Sequence, residues 1–166
     1  MRLVATPRSC IAGILVGGVA AGILDIVYAF VLTGLRGGTP LRVLQSVASG
    51  VLGSSAYQGS GAATGTLGLT LHIGITIVAA AVYYVAARRS TLMRDHYLAA
   101  GALFGALVYL FMNFVVLPLS AVPFETLRTP AAMLQGFVSH ALLVGIPIAW
   151  GLHRFSFEAR PLIVKR

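Results

Sequence analysis

The chain has 166 residues, 58% apolar and only 10% charged, with nineteen glycines that follow no triplet period. Soluble domains carry about 25% charged residues, and so short a chain with so few charges cannot keep its surface wet. A soluble globular enzyme, a disordered chain and a collagen are set aside, which leaves an integral membrane protein.

Four stretches are long and apolar enough to cross a bilayer, which takes about 20 residues of helix. They cover residues 10–33, 64–87, 97–118 and 131–152. The runs are continuous rather than alternating, so helices are expected and not a closed barrel. The first run continues through Leu32, past the core length of a cleaved signal, and is expected to stay as a helix. The fold class is therefore all-α, an integral membrane four-helix transmembrane bundle in one domain, with the lipid bilayer as its first partner.

The formal charge is +8. In a soluble protein this would raise the question of nucleic acid. Here the basic residues flank apolar runs, so no nucleic-acid partner is expected. Arg2, Arg8, Arg88, Arg89, Arg94, Arg154, Arg160, Lys165 and Arg166 fall on one side of the spans. Arg36, Arg42 and Arg128 fall on the other. That asymmetry predicts a bacterial cytoplasmic (inner) membrane protein with both termini in the cytoplasm. The single Cys10 has no partner for an internal disulfide and no metal-type spacing.

Between the first two spans, Thr39-Pro40 reads as an N-cap followed by proline at the first helical position. Leu41, Val43, Leu44, Val47, Ala48, Val51 and Leu52 then recur at helical spacing, with Arg42, Gln45, Ser46 and Ser49 as the polar residues. This predicts a short extracytoplasmic amphipathic or re-entrant helix over residues 40–53, too short to span. It either caps the bundle or gates a cavity. Residues 54–63, with Gly59 and Gly61, read as a connector. Pro118 is expected to end the third span and Pro147 to kink the fourth. Pro123 and Pro130 bracket an outer loop holding Glu125 and Arg128, a solvated pair worth little.

The informative residues are polar ones at membrane depth. The first span carries Asp25, the second His72, the third Asn113, and the fourth His140 with Ser139 beside it. A carboxylate at the bilayer centre costs at least about 2.5 kcal/mol, so it faces the bundle and finds a partner. Measured from the span midpoints at 1.5 Å per residue, the four groups fall within a layer of about 6 Å in the outer half of the membrane. Each also shares a face with small residues. Asp25 lies with Gly18 and Gly22, and His72 with Gly65, Gly68 and Thr76. Asn113 lies with Gly101, Gly105 and Tyr109, and His140 with Gly136 and Pro147. Small residues mark helix contacts in membranes, so each polar group is expected on a packing face.

Several uses stay open. Asp25, His72, Asn113, Ser139 and His140 can bind or sense a proton, ion or small solute, since an Asp/His chain relays protons and histidine changes charge near neutral pH. His72 and His140 can supply the two axial ligands of a b-type haem, although only Arg36, Arg42 and Arg128 could meet its propionates. His72, His140 and Asp25 can form an open divalent-metal site. The same residues can instead be a hydrogen-bonded core that fixes the fold. Glycine pairs such as Gly18/Gly22 and Gly101/Gly105 allow packing within the bundle, a homo-oligomer or a membrane-complex partner. There is no phosphate loop, nucleophile elbow or His-Glu-x-x-His, and no enzyme is expected.

Three stretches carry a resemblance. They are Leu71-His72-Ile73 leading to Tyr83, Leu98 to Leu107 running on to Asn113 and Leu117-Pro118-Leu119, and Gly136-Phe137-Val138-Ser139-His140 ending at His153-Arg154. Over roughly the last 100 residues the chain resembles the YagU-like family of bacterial inner-membrane proteins. One member of that family is linked to acid tolerance, so the resemblance implies proton-linked behaviour. Asn113 stands where the family pattern has a histidine, and Asp25 is not carried over from it.

Overall fold

The computed structural model describes residues 7–123 and 129–157. Arg2, Glu125, Arg128, Arg160, Lys165 and Arg166, and with them the expected Glu125–Arg128 pair, lie outside the described residues. Within the described residues helix is the dominant structure, joined by short turns, with no strand. The elements are α1 (Pro7–Leu35), α2 (Pro40–Leu52), α3 (Gly61–Ala87), α4 (Thr91–Asp95), α5 (Tyr97–Leu119) and α6 (Pro130–Phe157). A short 3₁₀ turn, Gly53–Tyr57, follows α2.

Four helices are long and apolar enough to cross a membrane: Cys10–Leu35, Gly61–Ala87, Tyr97–Leu119 and Pro130–Phe157. They overlap the four runs expected from sequence and extend the fourth by a turn beyond Leu152. Their outward residues are apolar, for example Ile11, Val31, Val78, Leu103 and Leu142. A surface of that kind suits lipid and not water.

Around the bundle, α1 packs against both α3 and α6, and α5 packs against α6. The remaining neighbours, α3 and α5, scarcely touch. They meet near the end that holds α4, where the Tyr83 and Phe104 rings stand edge to face at 5.1 Å. That half of the bundle is filled by Tyr83, Val144, Ile148 and Leu152, all buried. Toward the α2 end the seam between α3 and α5 opens.

Glycines set the close contacts, and on α1 they form two separate faces. A Cβ on Gly17 would stand 2.9 Å from the Ile148 carbonyl oxygen of α6, whereas one on Gly18 would stand 2.7 Å from Ile77 Cα of α3. Gly101 and Gly105 fit the backbone of α6 at Gly145 and His140. The glycine pairs expected at helix contacts are thus used inside this chain.

Helix α2 starts as its sequence predicts, with Thr39 Oγ1 accepting from the Arg42 N–H and Pro40 in the first turn. It lies on α3, with Leu41 and Leu44 against Gly61, Gly65 and Gly68. The buried residues are Gln45, Ala48 and Ser49, while Val51 is 65% exposed. Gln45 Nε2 donates to Thr64 Oγ1 of α3, and the Ala121 N–H donates to the Gly50 carbonyl. Gly68 admits α2, because a Cβ there would run into the Leu44 carbonyl. Gln45 and Ser49 are thus buried in protein beside Leu44, while Arg42 is exposed.

Besides the π-helical turn His153–Phe157 that ends α6, two such turns interrupt the long helices, at Met112–Val116 in α5 and His140–Gly145 in α6. Each precedes a proline. Pro118 and Pro147 lack the N–H that would reach Phe114 and Leu143, and their rings crowd those carbonyls. A wider turn relieves both problems. The kink expected at Pro147 takes this form, and α5 runs one residue past Pro118, through Leu119.

Candidate functional site

The open seam between α3 and α5 leads to a cavity of about 430 Å³. Asp25 reaches it from α1, Ser46 from α2, His72 and Thr76 from α3, Asn113 and Ser120 from α5 and its end, and His140 from α6. Each arrives there through its helix's packing. On α1, Gly22 lies one turn before Asp25 and lacks a Cβ, so Ile73 and Thr76 of α3 come close; a Cβ at Gly22 would stand 2.7 Å from each of their side chains. That approach places His72 against α1. On α6, the π-helical turn begins at His140 and offsets this residue from the regular helical register. The Tyr109 ring, edge-on to the imidazole at 5.3 Å, holds it from α5.

At the centre, Asp25 stands between the two imidazoles. Its Oδ2 is 3.8 Å from His72 Nε2, and its Oδ1 is 4.0 Å from His140 Nδ1. These are ion-pair separations and too long for hydrogen bonds. Among the described residues nothing donates a hydrogen bond to the carboxylate. All three side chains are largely but not fully enclosed, at 16%, 13% and 24% exposure for Asp25, His72 and His140.

The hydrogen bonds fix where the imidazole protons sit. His72 Nε2 lies 3.0 Å from the Gly22 carbonyl oxygen, and His140 Nδ1 lies 3.0 Å from that of Gly136. A carbonyl only accepts, so both nitrogens carry protons and donate. In the neutral rings, His72 Nδ1 and His140 Nε2 are then acceptors.

This arrangement bears on two ligand expectations. Paired haem ligands need unprotonated nitrogens facing each other across an iron. Here the facing nitrogens are donors to backbone, and a carboxylate stands between them, so the pair does not fit haem. In the set of His72, His140 and Asp25, the imidazole nitrogens nearest the carboxylate are the ones that bond to backbone carbonyls. Among the described residues no group of three or more His, Cys, Asp or Glu side chains is arranged to hold a metal ion.

Of the residues singled out from sequence, Asp25, His72, Asn113 and His140 meet at the cavity. Asn113 lines it without bonding to the other three, since its Nδ2 donates to the Tyr109 carbonyl one turn back. Ser139 does not join them. It is buried, and its Oγ donates to the Gly136 carbonyl within its own helix. One residue further along a helix is a rotation of about 100°, which carries Ser139 away from His140's face. Sequence reasoning did not select Ser46, Thr76 or Ser120 as site residues. Thr76 was legible, being one turn from His72 on the same glycine-marked face. Ser46 and Ser120 depend on how α2 and the segment after Pro118 fold over the seam, which no periodicity encodes.

Outside the cavity, Cys10 Sγ and Tyr84 Oη are 2.8 Å apart, and the Tyr97 ring stacks on His153 at 4.0 Å. Both contacts belong to the end of the bundle that holds α4.

No protein-family model, curated protein or solved structure matches the chain. The site is interpreted on its own chemistry.

Proposed function

We propose that the chain is a multi-pass protein of the bacterial inner membrane whose interior polar cluster binds or senses a proton, an ion or a small solute, without catalysing a reaction. The charge asymmetry of its loops supports placing both termini in the cytoplasm and the cavity in the outer half of the bilayer. The resemblance to YagU-like proteins, one of them tied to acid tolerance, supports a link to acid stress.

The observation that carries this reading is the placement of Asp25 between His72 and His140 on an open cavity, with its carboxylate left unbonded. A group that served only to fix the fold would be expected to satisfy its lone pairs within the protein. The titratable groups facing this point are Asp25 from α1, His72 from α3 and His140 from α6, with the Tyr109 ring of α5 against His140. From α2 the cavity receives Ser46, which does not titrate.

The test is nuclear magnetic resonance of the histidine rings in lipid nanodiscs between pH 5 and 8. The reading predicts that Asp25→Asn alters the His72 and His140 signals together. Signals that ignore Asp25→Asn would mean that the three groups do not act as one site.

A further inference from the structure

The hydrogen-bond donors of the cavity are nearly all used up. Ser46 Oγ donates to the Val43 carbonyl at 2.7 Å, Thr76 Oγ1 to Ile73 at 2.9 Å, and Ser120 Oγ to Leu117 at 2.7 Å. The Asn113 amide donates to Tyr109 at 2.9 Å, and both imidazoles donate to glycine carbonyls at 3.0 Å. The lining residues offer mostly acceptors: the two carboxylate oxygens of Asp25, the hydroxyl oxygens and the Asn113 carbonyl. One further N–H of Asn113 is the exception. An anion entering here would meet a carboxylate and almost no donors, and a neutral acceptor would find no partner.

The rest of the wall is apolar, including Leu71, Ile75, Val108, Val116 and Val144. At about 430 Å³ the space is far larger than one inorganic ion needs. It falls in the range of small-molecule sites, about 300–1,000 Å³. A matching ligand brings positive charge, several N–H donors and a short hydrocarbon body. We propose that the cavity binds a small monocationic amine, its ammonium seated at Asp25 between His72 and His140 and its apolar part against α3 and α5. This inference rests on the solute-binding reading above and names the solute's chemical class.

Three probes of one shape and different charge test it: benzylammonium, benzyl alcohol and benzoate. Each is titrated at pH 7 into the full-length protein in nanodiscs, with empty nanodiscs as the control for partitioning and the histidine ring signals as the readout. Benzylammonium is expected to saturate and to bind at least tenfold more tightly than the other two, and Asp25→Asn is expected to weaken it at least tenfold. A smaller preference in the wild-type protein overturns the proposal, and so does an unchanged affinity in a folded Asp25→Asn variant. The wild-type comparison decides the matter alone if that variant does not fold. If the ring signals respond to Asp25→Asn yet ignore benzylammonium, only the amine assignment falls. If they respond to neither, the solute-binding reading falls with it.

Discussion

At the scale of single residues, Asp25 and the two histidines separate what glues the bundle from what the bundle holds in reserve. The bond from His72 to the Gly22 carbonyl is a second bond to an oxygen that already serves its own helix. Losing it leaves no polar group stranded. His72→Ala is therefore expected to cost about 0.6 kcal/mol, the average for a side-chain hydrogen bond between membrane helices. The measurement is reversible unfolding in detergent micelles. A loss in the range of 3–5 kcal/mol, typical of a broken buried ion pair, would show that the cluster is structural. Asp25, His72, Asn113 and His140 were legible in the sequence because polar side chains are rare at this depth and each lies on a glycine-marked face. Their use was not legible. The haem and metal options depended on which ring nitrogens carry protons, and that is set by the carbonyls of Gly22 and Gly136, contacts that spacing alone does not reveal.

At the scale of elements, the helices owe their fit to glycine and their shape to proline. Gly105 is the tightest case on α5, since a Cβ there would run into the His140 carbonyl and stand 2.8 Å from the Gly145 nitrogen. These are backbone atoms and cannot rotate away. Gly105→Val is expected to lower stability by about 1–3 kcal/mol through overpacking, seen as a lower unfolding midpoint for the purified protein; an unchanged midpoint would mean that α5 and α6 are not so closely packed. The spans and the start of α2 could be read from run length and the Thr39-Pro40 cap. The burial of Gln45 and Ser49 could not, because it depends on how α2 lies against α3. Gln45 donates to Thr64 of α3, a contact that periodicity does not encode.

At the scale of the whole molecule, one end of the bundle is filled by Tyr83, Ile148 and Leu152, while at the other the seam between α3 and α5 opens on a wall that mixes polar and aliphatic side chains. The α2 end carries Ser54 and Ser55, both exposed, and the opposite end carries the exposed Arg88 and Arg89. In a Cys10→Ser background, Ser55→Cys is expected to react with a membrane-impermeant maleimide on intact cells and Arg89→Cys only after lysis; the reverse pattern would invert the proposed orientation. Everything said about function depends on Asp25 lying within reach of both imidazoles. Solid-state magnetic resonance of the labelled protein in lipid measures this directly, through the dipolar couplings from the Asp25 carboxyl carbon to His72 Nε2 and to His140 Nδ1. Oxygen–nitrogen separations of 3.8 and 4.0 Å predict that both couplings are observed in one sample. The absence of either, in protein shown to be folded, would contradict the account.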